Sequence, residues 1–314
     1  MSGPAVSVVM PVHNSEAFLD AAVASIRAQT FADFEFIIID DGSDDRSADI
    51  LSRHAAEDRR IRVQPQPRRG VIAALNHALS IATGAYVARI DADDIASPNR
   101  LERQVTALSA GAEVAVVGSN YAIIDEAGTI RGESNLPTDA ASIRNALDRT
   151  NCIAHPTVLM RRDVVLAAGG YRPAFVQCED YDLWLRLSER HDLVNLPEPL
   201  LHYRRHPGQL EWRHVEQRAL SILGARICAR RRRSGQPDPG DHCALVTRGF
   251  LREIGNERAI GEEIVRWALD SAAIALRAGY GPAARAALAV VEKEDHVRFR
   301  TRLRCWLMRA SSYA

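Results

Sequence analysis

The sequence predicts an α/β protein with a mixed, mainly parallel sheet flanked by helices, followed by a helical C-terminal appendage. Short β-rich runs alternate with amphipathic helical stretches in the first part of the chain, which is the pattern of βαβ units. Beyond residue 209 the apolar periodicity is helical. A chain of 314 residues, 46% of them hydrophobic, can bury a full core. We therefore expect one large domain over residues 1–207 and a helical region over residues 208–314.

The individual elements follow from the spacing of apolar residues. The strands of the large domain are predicted at 6–12, 34–39, 61–63, 85–90 and 114–117. The helices between them are predicted at 16–29, 45–57, 71–83 and 99–109. The run Asp-Glu-Ala-Gly at 125–128 is typical of a hairpin turn, so the sheet is expected to become antiparallel there. The elements that follow are predicted as a strand at 157–160 and helices at 142–147, 163–168 and 181–190.

Composition and charge narrow the class of protein. The formal net charge is zero, but residues 208–314 carry seven more basic than acidic residues, an excess that could face an anionic partner. The five cysteines are widely spaced without a Cys-x-x-Cys pair, which favours a reduced, cytoplasmic setting and not a zinc site. Residues 1–12 lack a signal-peptide pattern. No run approaches the ~20 apolar residues of a spanning helix, so any membrane contact is expected to be peripheral, at the inner face of the cell membrane.

The most informative segment is an apolar strand that ends in three carboxylates, in the run Asp-Ala-Asp-Asp at 91–94. Asp91 and Asp93 lie on the same side of an extended chain, where their charges repel each other. A divalent cation resolves this repulsion, and open α/β sheets bind ligands at the carboxyl ends of their strands. Taken alone, however, acidic residues in a strand-to-helix turn can simply cap and solvate the turn.

Other loops also have chemistry that suits a ligand. The run Pro-Val-His-Asn at 11–14 follows the first strand, and the missing Gly-x-Gly-x-x-Gly there argues against NAD or FAD. The run Asp-Asp-Gly-Ser at 40–43 could accept hydrogen bonds from ribose hydroxyls or a base N–H. Arg68 and Arg69 precede a helix N-terminus, a position that suits a phosphate. Solvated surface arginines are an equally good interpretation of that pair.

Two later segments complete the set of candidates. Glu179 and Asp180 stand at the start of the helix predicted at 181–190, where acidic residues are favourable without any function. His206 follows the run Tyr-Arg-Arg at 203–205. A lone histidine is usually structural, but one that follows carboxylate clusters could be a third metal ligand.

Together and in this order, these segments resemble the nucleotide-sugar-dependent family 2 glycosyltransferases with the GT-A fold. The resemblance covers roughly residues 5–207 and depends on five separated motifs, which makes it specific. The matching segments are 6–14, 37–43, 70–76, 84–94, and Gly-Gly-Tyr at 169–171 followed by Glu-Asp at 179–180.

The resemblance implies a metal-dependent, inverting glycosyltransferase of the hexosyltransferase class. Asp180 matches the catalytic base, with Glu179 beside it in support of the acceptor site. Asp93 is implied as a ligand of Mg²⁺ or Mn²⁺, and His206 as a metal or diphosphate contact. Asp41 should contact the nucleotide base and Asp91 should approach the ribose. The full set of implied donor contacts is Pro11, Val12, Asn14, Asp40, Asp41, Arg69, Asp91 and Ala92.

The implied partners are a UDP-, dTDP- or GDP-linked sugar donor and a sugar or lipid-linked glycan acceptor, with no nucleic acid. Family precedent favours bacterial cell-surface polysaccharide synthesis. A sugar-phosphate nucleotidyltransferase and a non-catalytic sugar-nucleotide binding protein are the alternatives. The nucleotidyltransferase would normally show a glycine- and arginine-rich signature after the first strand, where this chain has Pro-Val-His-Asn-Ser at 11–15.

The C-terminal tail permits two interpretations. Residues 296–314 contain five arginines and no acidic residue, interleaved with apolar and aromatic side chains. In one interpretation this helix packs on the catalytic domain and its arginines are solvated. In the other it is an interfacial helix that binds anionic lipid by aromatic insertion and charge attraction, which would bring the enzyme to a lipid-linked acceptor.

Overall fold

The computed structural model describes residues 3–206, 214–255, 257–293 and 308. The chain forms two compact units. The first unit comprises Met1–Arg172 and Leu183–Arg205, and the second comprises Pro173–Asp182 and His206–Ala314. The domain boundary expected after residue 207 stays a prediction. The basic tail, apart from Met308, lies outside the described residues.

The described chain contains nine strands and eleven α-helices. The strands are β1 (Val6–Val12), β2 (Phe34–Asp41), β3 (Ile61–Gln66), β4 (Tyr86–Arg89), β5 (Ile95–Ala96), β6 (Val114–Ile124), β7 (Ile130–Glu133), β8 (Leu159–Arg161) and β9 (Asp192–Arg204). The helices of the first part are α1 (Leu19–Arg27), α2 (Ser47–Glu57), α3 (Val71–Ile81), α4 (Arg100–Ser109), α5 (Ala140–Leu147), α6 (Arg162–Ala167) and α7 (Glu179–Leu187). Those beyond residue 214 are α8 (Val215–Arg233), α9 (Arg248–Ile254), α10 (Glu257–Arg277) and α11 (Gly281–Glu292). Within these described helices, none combines the length and apolar character needed to cross a bilayer.

All nine strands belong to one mixed sheet in the first unit. Its order is β3-β2-β1-β4-β8-β6-β9-β5, and β7 pairs with β6. β1 is parallel to both β2 and β4, and β2 is parallel to β3. β8 is antiparallel to β4 and to β6. Because the chain leaves β1 toward β2 and later returns to β4 on its other side, β1 marks the topological switch point, where open α/β sheets bind ligands.

Burial on both faces explains why the sequence pattern predicts the parallel strands. Every residue of β2 is buried, and β1 is buried at all positions except Pro11, which is partly exposed. Parallel strands covered on both faces are near-continuous apolar runs. Helix α1 is buried on one side only, at Leu19, Ala22, Val23 and Ile26. This spacing of three and four is that of an amphipathic helix packed on a sheet.

The mixed α/β sheet flanked by helices is confirmed, and so is the helical character of the described residues beyond 214. The hairpin turn predicted at 125–128 is also confirmed, because β6 and β7 are antiparallel. The strand predicted at 114–117 is wrong in extent, since β6 continues to Ile124 through polar residues. β9 is absent from the predicted strands. Two prolines, Pro197 and Pro199, interrupt its apolar pattern.

A buried carboxylate ties the parallel strands together at their amino-terminal ends. Glu35 of β2 is 8% exposed and accepts hydrogen bonds from Ser7 Oγ (2.8 Å) and Arg62 Nη1 (2.6 Å). It also accepts bonds from Thr83 N (2.8 Å) and Thr83 Oγ1 (2.6 Å). Burial opposes ionisation of this carboxyl group, but the bonds from Thr83, Ser7 and Arg62 outweigh it, so the pKa of Glu35 is lowered from 4.5.

We expect Glu35→Gln to lower the free energy of unfolding at neutral pH and to matter less in acid. Because the folded-state pKa is lowered, ionised Glu35 contributes its full stabilisation above pH 4.5, and this is lost as the pH falls through the folded-state value. Urea unfolding between about pH 3 and pH 7 measures the difference from the wild type. The exposed Glu57→Gln is the control and should change stability little at any pH. A penalty for Glu35→Gln that stays constant into acid would contradict this role.

Candidate active site

Three loops leave the sheet at the same edge, around the switch point. Val12 at the end of β1 pairs with Asp40 of β2, and Val9 of β1 pairs with Arg89 at the end of β4. The strands are parallel, so the segments that follow them emerge side by side. Most of the predicted donor and metal contacts lie at the ends of these strands or in the loops that follow them; Arg69, which follows β3, and His206, which follows β9, lie elsewhere. Pro11 and Val12 lie in β1 itself, and Ala92 is buried in the loop after β4.

The loops after β1 and β2 are joined by one asparagine. Asn14 Nδ2 donates to Asp44 Oδ1 (2.6 Å), and Asp44 N donates back to Asn14 Oδ1 (2.9 Å). Asn14 N also donates to Ser43 Oγ (3.1 Å). Asn14 has a φ of 50°, a left-handed conformation that asparagine adopts more readily than most residues. Asp40 shapes the second loop from within, because its Oδ1 accepts a bond from Ser43 N (3.1 Å).

Asp41 holds the segment that precedes α3. Its Oδ1 accepts bonds from Arg69 N (2.8 Å) and Gln66 Nε2 (2.7 Å), and its Oδ2 accepts a bond from Gly70 N (2.8 Å). Gln66 is itself held by His77, whose Nδ1 lies 2.9 Å from Gln66 Oε1. An ionised carboxylate has about four acceptor positions, so three bonds leave Asp41 about one for a ligand. Asp41 is 4% exposed.

Gly42, the residue after Asp41, allows the segment before α3 to lie close to the loop after β2. Its φ is 71°, and a Cβ at this position would lie 2.8 Å from Arg68 N. A side chain here would therefore both strain the backbone and push the segment before α3 away from Asp41. Arg69 lies in that segment with its side chain exposed, one residue before Gly70 at the N-terminus of α3. A guanidinium in this place can reach a bound phosphate.

Asn76 joins two motifs that lie far apart in the sequence. From α3, its Nδ2 donates to Tyr171 O (2.8 Å) and its Oδ1 accepts a bond from Tyr171 N (3.0 Å). Gly170 has a φ of 66°, and a Cβ there would lie 2.8 Å from Asn76 Oδ1. These contacts account for a glycine at position 170, because a side chain there would both adopt a strained backbone conformation and collide with Asn76.

The segment after β4, residues 91–94, is called the acidic loop here. Each of Asp91, Asp93 and Asp94 offers a carboxylate oxygen that lies within 4.8 Å of the others. Arg89 is ion-paired with Asp91. Asp94 is 1% exposed, and its Oδ1 accepts a bond from Arg204 N (2.8 Å). Its Oδ2 is buried and has no hydrogen-bond partner among the described residues. Three converging carboxylates, one with an unsatisfied buried oxygen, fit a hard divalent cation such as Mg²⁺ or Mn²⁺.

The cluster changes the acidity of Asp94. Burial, and then the charges of Asp93 and Asp91, raise the pKa of Asp94 well above its ordinary value, and the bond from Arg204 N only partly opposes this. The surroundings of Asp94 therefore favour the protonated form of its carboxyl group. The sequence predicts a cation near the run of three carboxylates but no individual role for Asp94, its third member.

Glu179 and Asp180 occupy the N-terminus of α7, in the second unit. Glu179 is buried and Asp180 is half-buried, with Asp180 Oδ1 accepting a bond from Tyr181 N (2.7 Å). A carboxylate at this end of a helix is stabilised in its charged form by the helix dipole. Burial, followed by the negative charge of Asp180, raises the pKa of the neighbouring Cys178 thiol well above its ordinary value, which favours the protonated thiol over the thiolate.

His206 is half-buried and lies two residues beyond the end of β9. It also belongs to the second unit. Its predicted contact with a metal or diphosphate stays a prediction. The same holds for the individual roles expected for Asp93, Asp180 and the donor-binding residues.

We expect Asp94→Asn to stabilise the metal-free protein increasingly as the pH rises. Asparagine keeps an acceptor for Arg204 N but carries no charge. Because the folded-state pKa of Asp94 is raised, wild-type Asp94 contributes its full stability only below its ordinary pKa, and this is lost as the pH rises through the folded-state value. Urea unfolding in EDTA from about pH 4 to about pH 8 measures the growing difference. The exposed Asp33→Asn is the control, and a pH-independent difference for Asp94→Asn would refute the explanation.

Comparison with known proteins identifies the family. Residues 7–168 match the family model described as Glycosyl transferase family 2. The O-antigen biosynthesis glycosyltransferase WbnJ of Escherichia coli is 36% identical over 205 residues, which is 64% of this chain and 80% of WbnJ. This match extends over most of the relative's length.

Solved structures show the same fold at low sequence identity. TarS 1-349 from S. aureus, in complex with UDP, has a TM-score of 0.56 at 15% identity, over 98% of this chain and 87% of that chain. The mannosyltransferase PcManGT from Pyrobaculum calidifontis, in complex with GDP-Man and Mn²⁺, has a TM-score of 0.56 at 18% identity, over 99% of this chain and 85% of that chain. Their shared architecture is the GT-A fold. The chain belongs to glycosyltransferase family 2.

Proposed function

We propose that this glycosyltransferase moves a hexosyl group from a nucleotide-sugar donor to an acceptor hydroxyl, with the help of a divalent cation and with inversion at the anomeric carbon. The observation that carries the proposal is the convergence of the acidic loop with the loops after β1 and β2 at the switch point of the sheet. A nucleoside diphosphate has a base and ribose that offer donors and a diphosphate that requires cations. The three loops supply hydrogen-bond acceptors for the base and the ribose. They also supply carboxylates that can hold a cation beside the diphosphate.

The donor is proposed to lie across the ends of β1, β2 and β4. Asp41 is proposed to bind the base through its remaining acceptor position, and Asp91 to approach the ribose. Arg69 is proposed to reach the diphosphate from the start of α3. UDP in TarS and GDP-Man in PcManGT support a nucleotide-linked donor for this chain, of the UDP, dTDP or GDP type.

Asp93 is proposed to hold Mg²⁺ or Mn²⁺, with Asp91 and Asp94 close enough to share the cation and His206 as a further contact. The unsatisfied Oδ2 of Asp94 and the carboxylate donor set support this choice. When bound, the cation supplies positive charge for the diphosphate as it leaves. PcManGT, which was solved with Mn²⁺, supports the same ion here.

Asp180 is proposed as the general base, with Glu179 in support of the acceptor. The acceptor oxygen attacks the anomeric carbon, the bond to the diphosphate breaks, and the hydroxyl proton passes to Asp180. An unperturbed aspartate has a pKa of ~3.9, so it is ionised and able to accept a proton at neutral pH. Attack opposite the leaving group inverts the configuration, and no enzyme nucleophile is required.

The acceptor is proposed to be a sugar or a lipid-linked glycan of a bacterial surface polysaccharide. The name of WbnJ, an O-antigen biosynthesis glycosyltransferase, supports this class. A panel of UDP-, dTDP- and GDP-sugars, with release of free nucleoside diphosphate as the readout, tests the donor directly. Absence of donor consumption with every sugar and added metal would favour a non-catalytic binding protein.

Asp180→Asn should lower sugar transfer by ~10² to 10⁴, because asparagine keeps the shape of the side chain but cannot accept the proton. Donor binding, measured by calorimetry, should be retained. Asp163→Asn is a matched control: Asp163 also lies in the first turn of a helix and its Oδ1 accepts a bond from the next N–H, that of Val164 (2.9 Å). Wild-type turnover by Asp180→Asn would remove this residue from the role of base.

EDTA should lower turnover by ~100-fold or more, because charge stabilisation of the leaving group by a cation is worth several kcal/mol. Added Mn²⁺ or Mg²⁺ should restore the chelated wild type but not Asp93→Ala. Glu133→Ala, which removes an exposed carboxylate from β7, serves as the control and should respond like the wild type. Full activity in EDTA would show that the reaction proceeds without a metal.

A further inference from the structure

We infer that Arg204 is a positioning residue that holds the acidic loop in the arrangement that binds the cation. The inference rests on the proposed function, since it concerns the cation site of that function. Arg204 is the last residue of β9. The residues of the acidic loop that it contacts, Asp93 and Asp94, lie more than a hundred residues earlier in the chain.

Arg204 binds the acidic loop at two points. Its Nε donates to Asp93 O (2.9 Å), and its backbone N–H donates to Asp94 Oδ1 (2.8 Å). The first bond fixes the peptide unit between the two aspartates, and the second fixes one carboxylate. Arg204 is 4% exposed, so water competes weakly for these bonds.

The rest of the guanidinium is held by other parts of the first unit. Its Nη1 donates to the carbonyl oxygens of Asp125 and Glu126, both at 2.9 Å, in the turn between β6 and β7. Its Cζ lies 4.6 Å from the centroid of the Phe18 ring, just before α1. Because the turn and the ring fix the guanidinium, the guanidinium in turn fixes the backbone of Asp93.

The pairing of β5 with β9 extends this hold to the residues after the loop. Ile95 pairs with His202 and Ala96 pairs with Leu201, in antiparallel register. Arg204 lies two residues beyond His202 in the same strand, so β9 contacts both β5 and the acidic loop that precedes it. The acidic loop is thus anchored by β4 where it begins, by β5 where it ends and by Arg204 between them.

A cation site gains from such an anchor because its carboxylates repel one another until the cation arrives. A loop that could open in the metal-free protein would separate them, and binding would then have to bring them back together. Partners that orient metal ligands typically account for about 10- to 100-fold in metal affinity. Lysine cannot replace this arginine, because a single ammonium cannot form the planar fork that spans the carbonyls of Asp93, Asp125 and Glu126.

Arg161 offers a matched control within the same unit. Its Nε donates to Val114 O (2.8 Å), and its Nη2 donates to Leu108 O (2.9 Å) and Gly111 O (3.0 Å). Its Cζ lies 5.8 Å from the centroid of the Tyr86 ring. Tyr86 begins β4, whereas the acidic loop follows the other end of that strand. Arg161 therefore has the same bonding chemistry as Arg204 at a place remote from the proposed cation site.

The test measures Mn²⁺ binding, not activity alone. Free Mn²⁺ is quantified by electron paramagnetic resonance during titration of full-length wild type, Arg204→Lys and Arg161→Lys, each alone, with UDP and with GDP. Both variants should lower the Tm. Of these two variants, Arg204→Lys alone should raise the Kd for Mn²⁺, by about 10- to 100-fold. Phe18→Leu, which removes the ring beneath the guanidinium, should raise it by a smaller factor.

The outcomes separate this inference from the proposed function. An unchanged Kd in folded Arg204→Lys, or an equal rise in Arg161→Lys, overturns the positioning role and leaves the proposed function in place. If Arg204→Lys does not fold, Phe18→Leu decides: a raised Kd supports the role and an unchanged Kd overturns it. Wild type that binds no Mn²⁺ under any of the three conditions removes the cation site and the positioning role together.

Discussion

The repulsion among Asp91, Asp93 and Asp94 is the constraint on which the rest of the first unit depends. Their oxygens come within 4.8 Å of one another at the end of a four-residue strand, and one of the three side chains is almost fully buried. In water each carboxylate would be hydrated and free to move away. Here the fold must supply the opposing charge and the donors that water would have supplied.

Two buried arginines, Arg89 and Arg100, supply part of the opposing positive charge. Arg89 pairs with Asp91, and Arg100 donates through Nη2 to Arg89 O (2.6 Å) and Val158 O (3.2 Å). Burial lowers the pKa of Arg100 to about 9, while the charge of Asp94 works in the opposite direction. Burying a guanidinium destabilises the folded state unless an opposite charge or hydrogen-bond acceptors lie close to it. Where Asp94 is ionised, its charge favours the charged form of Arg100 and partly offsets the cost of burying that guanidinium.

The sequence alone predicted the parts of this structure that depend on local pattern. β1 and β2 are apolar runs that end in polar loops, and α1 to α4 have helical apolar spacing, so these elements and the polar loops that follow them could be predicted. The long-range contacts could not. Arg204 reaches Asp93 across 111 positions and Asn76 reaches Tyr171 across 95 positions, and no local pattern records either pairing. β9 was missed for a related reason: its prolines suppress the strand pattern that its pairing with β6 maintains.

The two acidic runs at the strand ends look alike in the sequence but differ in how their oxygens are satisfied. Asp40 and Asp41 accept bonds from the backbone N–H groups of Ser43, Arg69 and Gly70, so their charge mainly shapes the loops that they join. In the acidic loop, by contrast, Asp94 accepts one bond from a backbone N–H, and its second oxygen is buried with no donor in the part of the chain that the structure describes. A carboxylate that receives hydrogen bonds from backbone N–H groups has less need of a cation, whereas a buried carboxylate oxygen that lacks a donor gains from a cation or a proton. The supply of backbone donors, more than the number of aspartates, therefore distinguishes the run at 40–41, which shapes its loops, from the run at 91–94, which is suited to hold a cation.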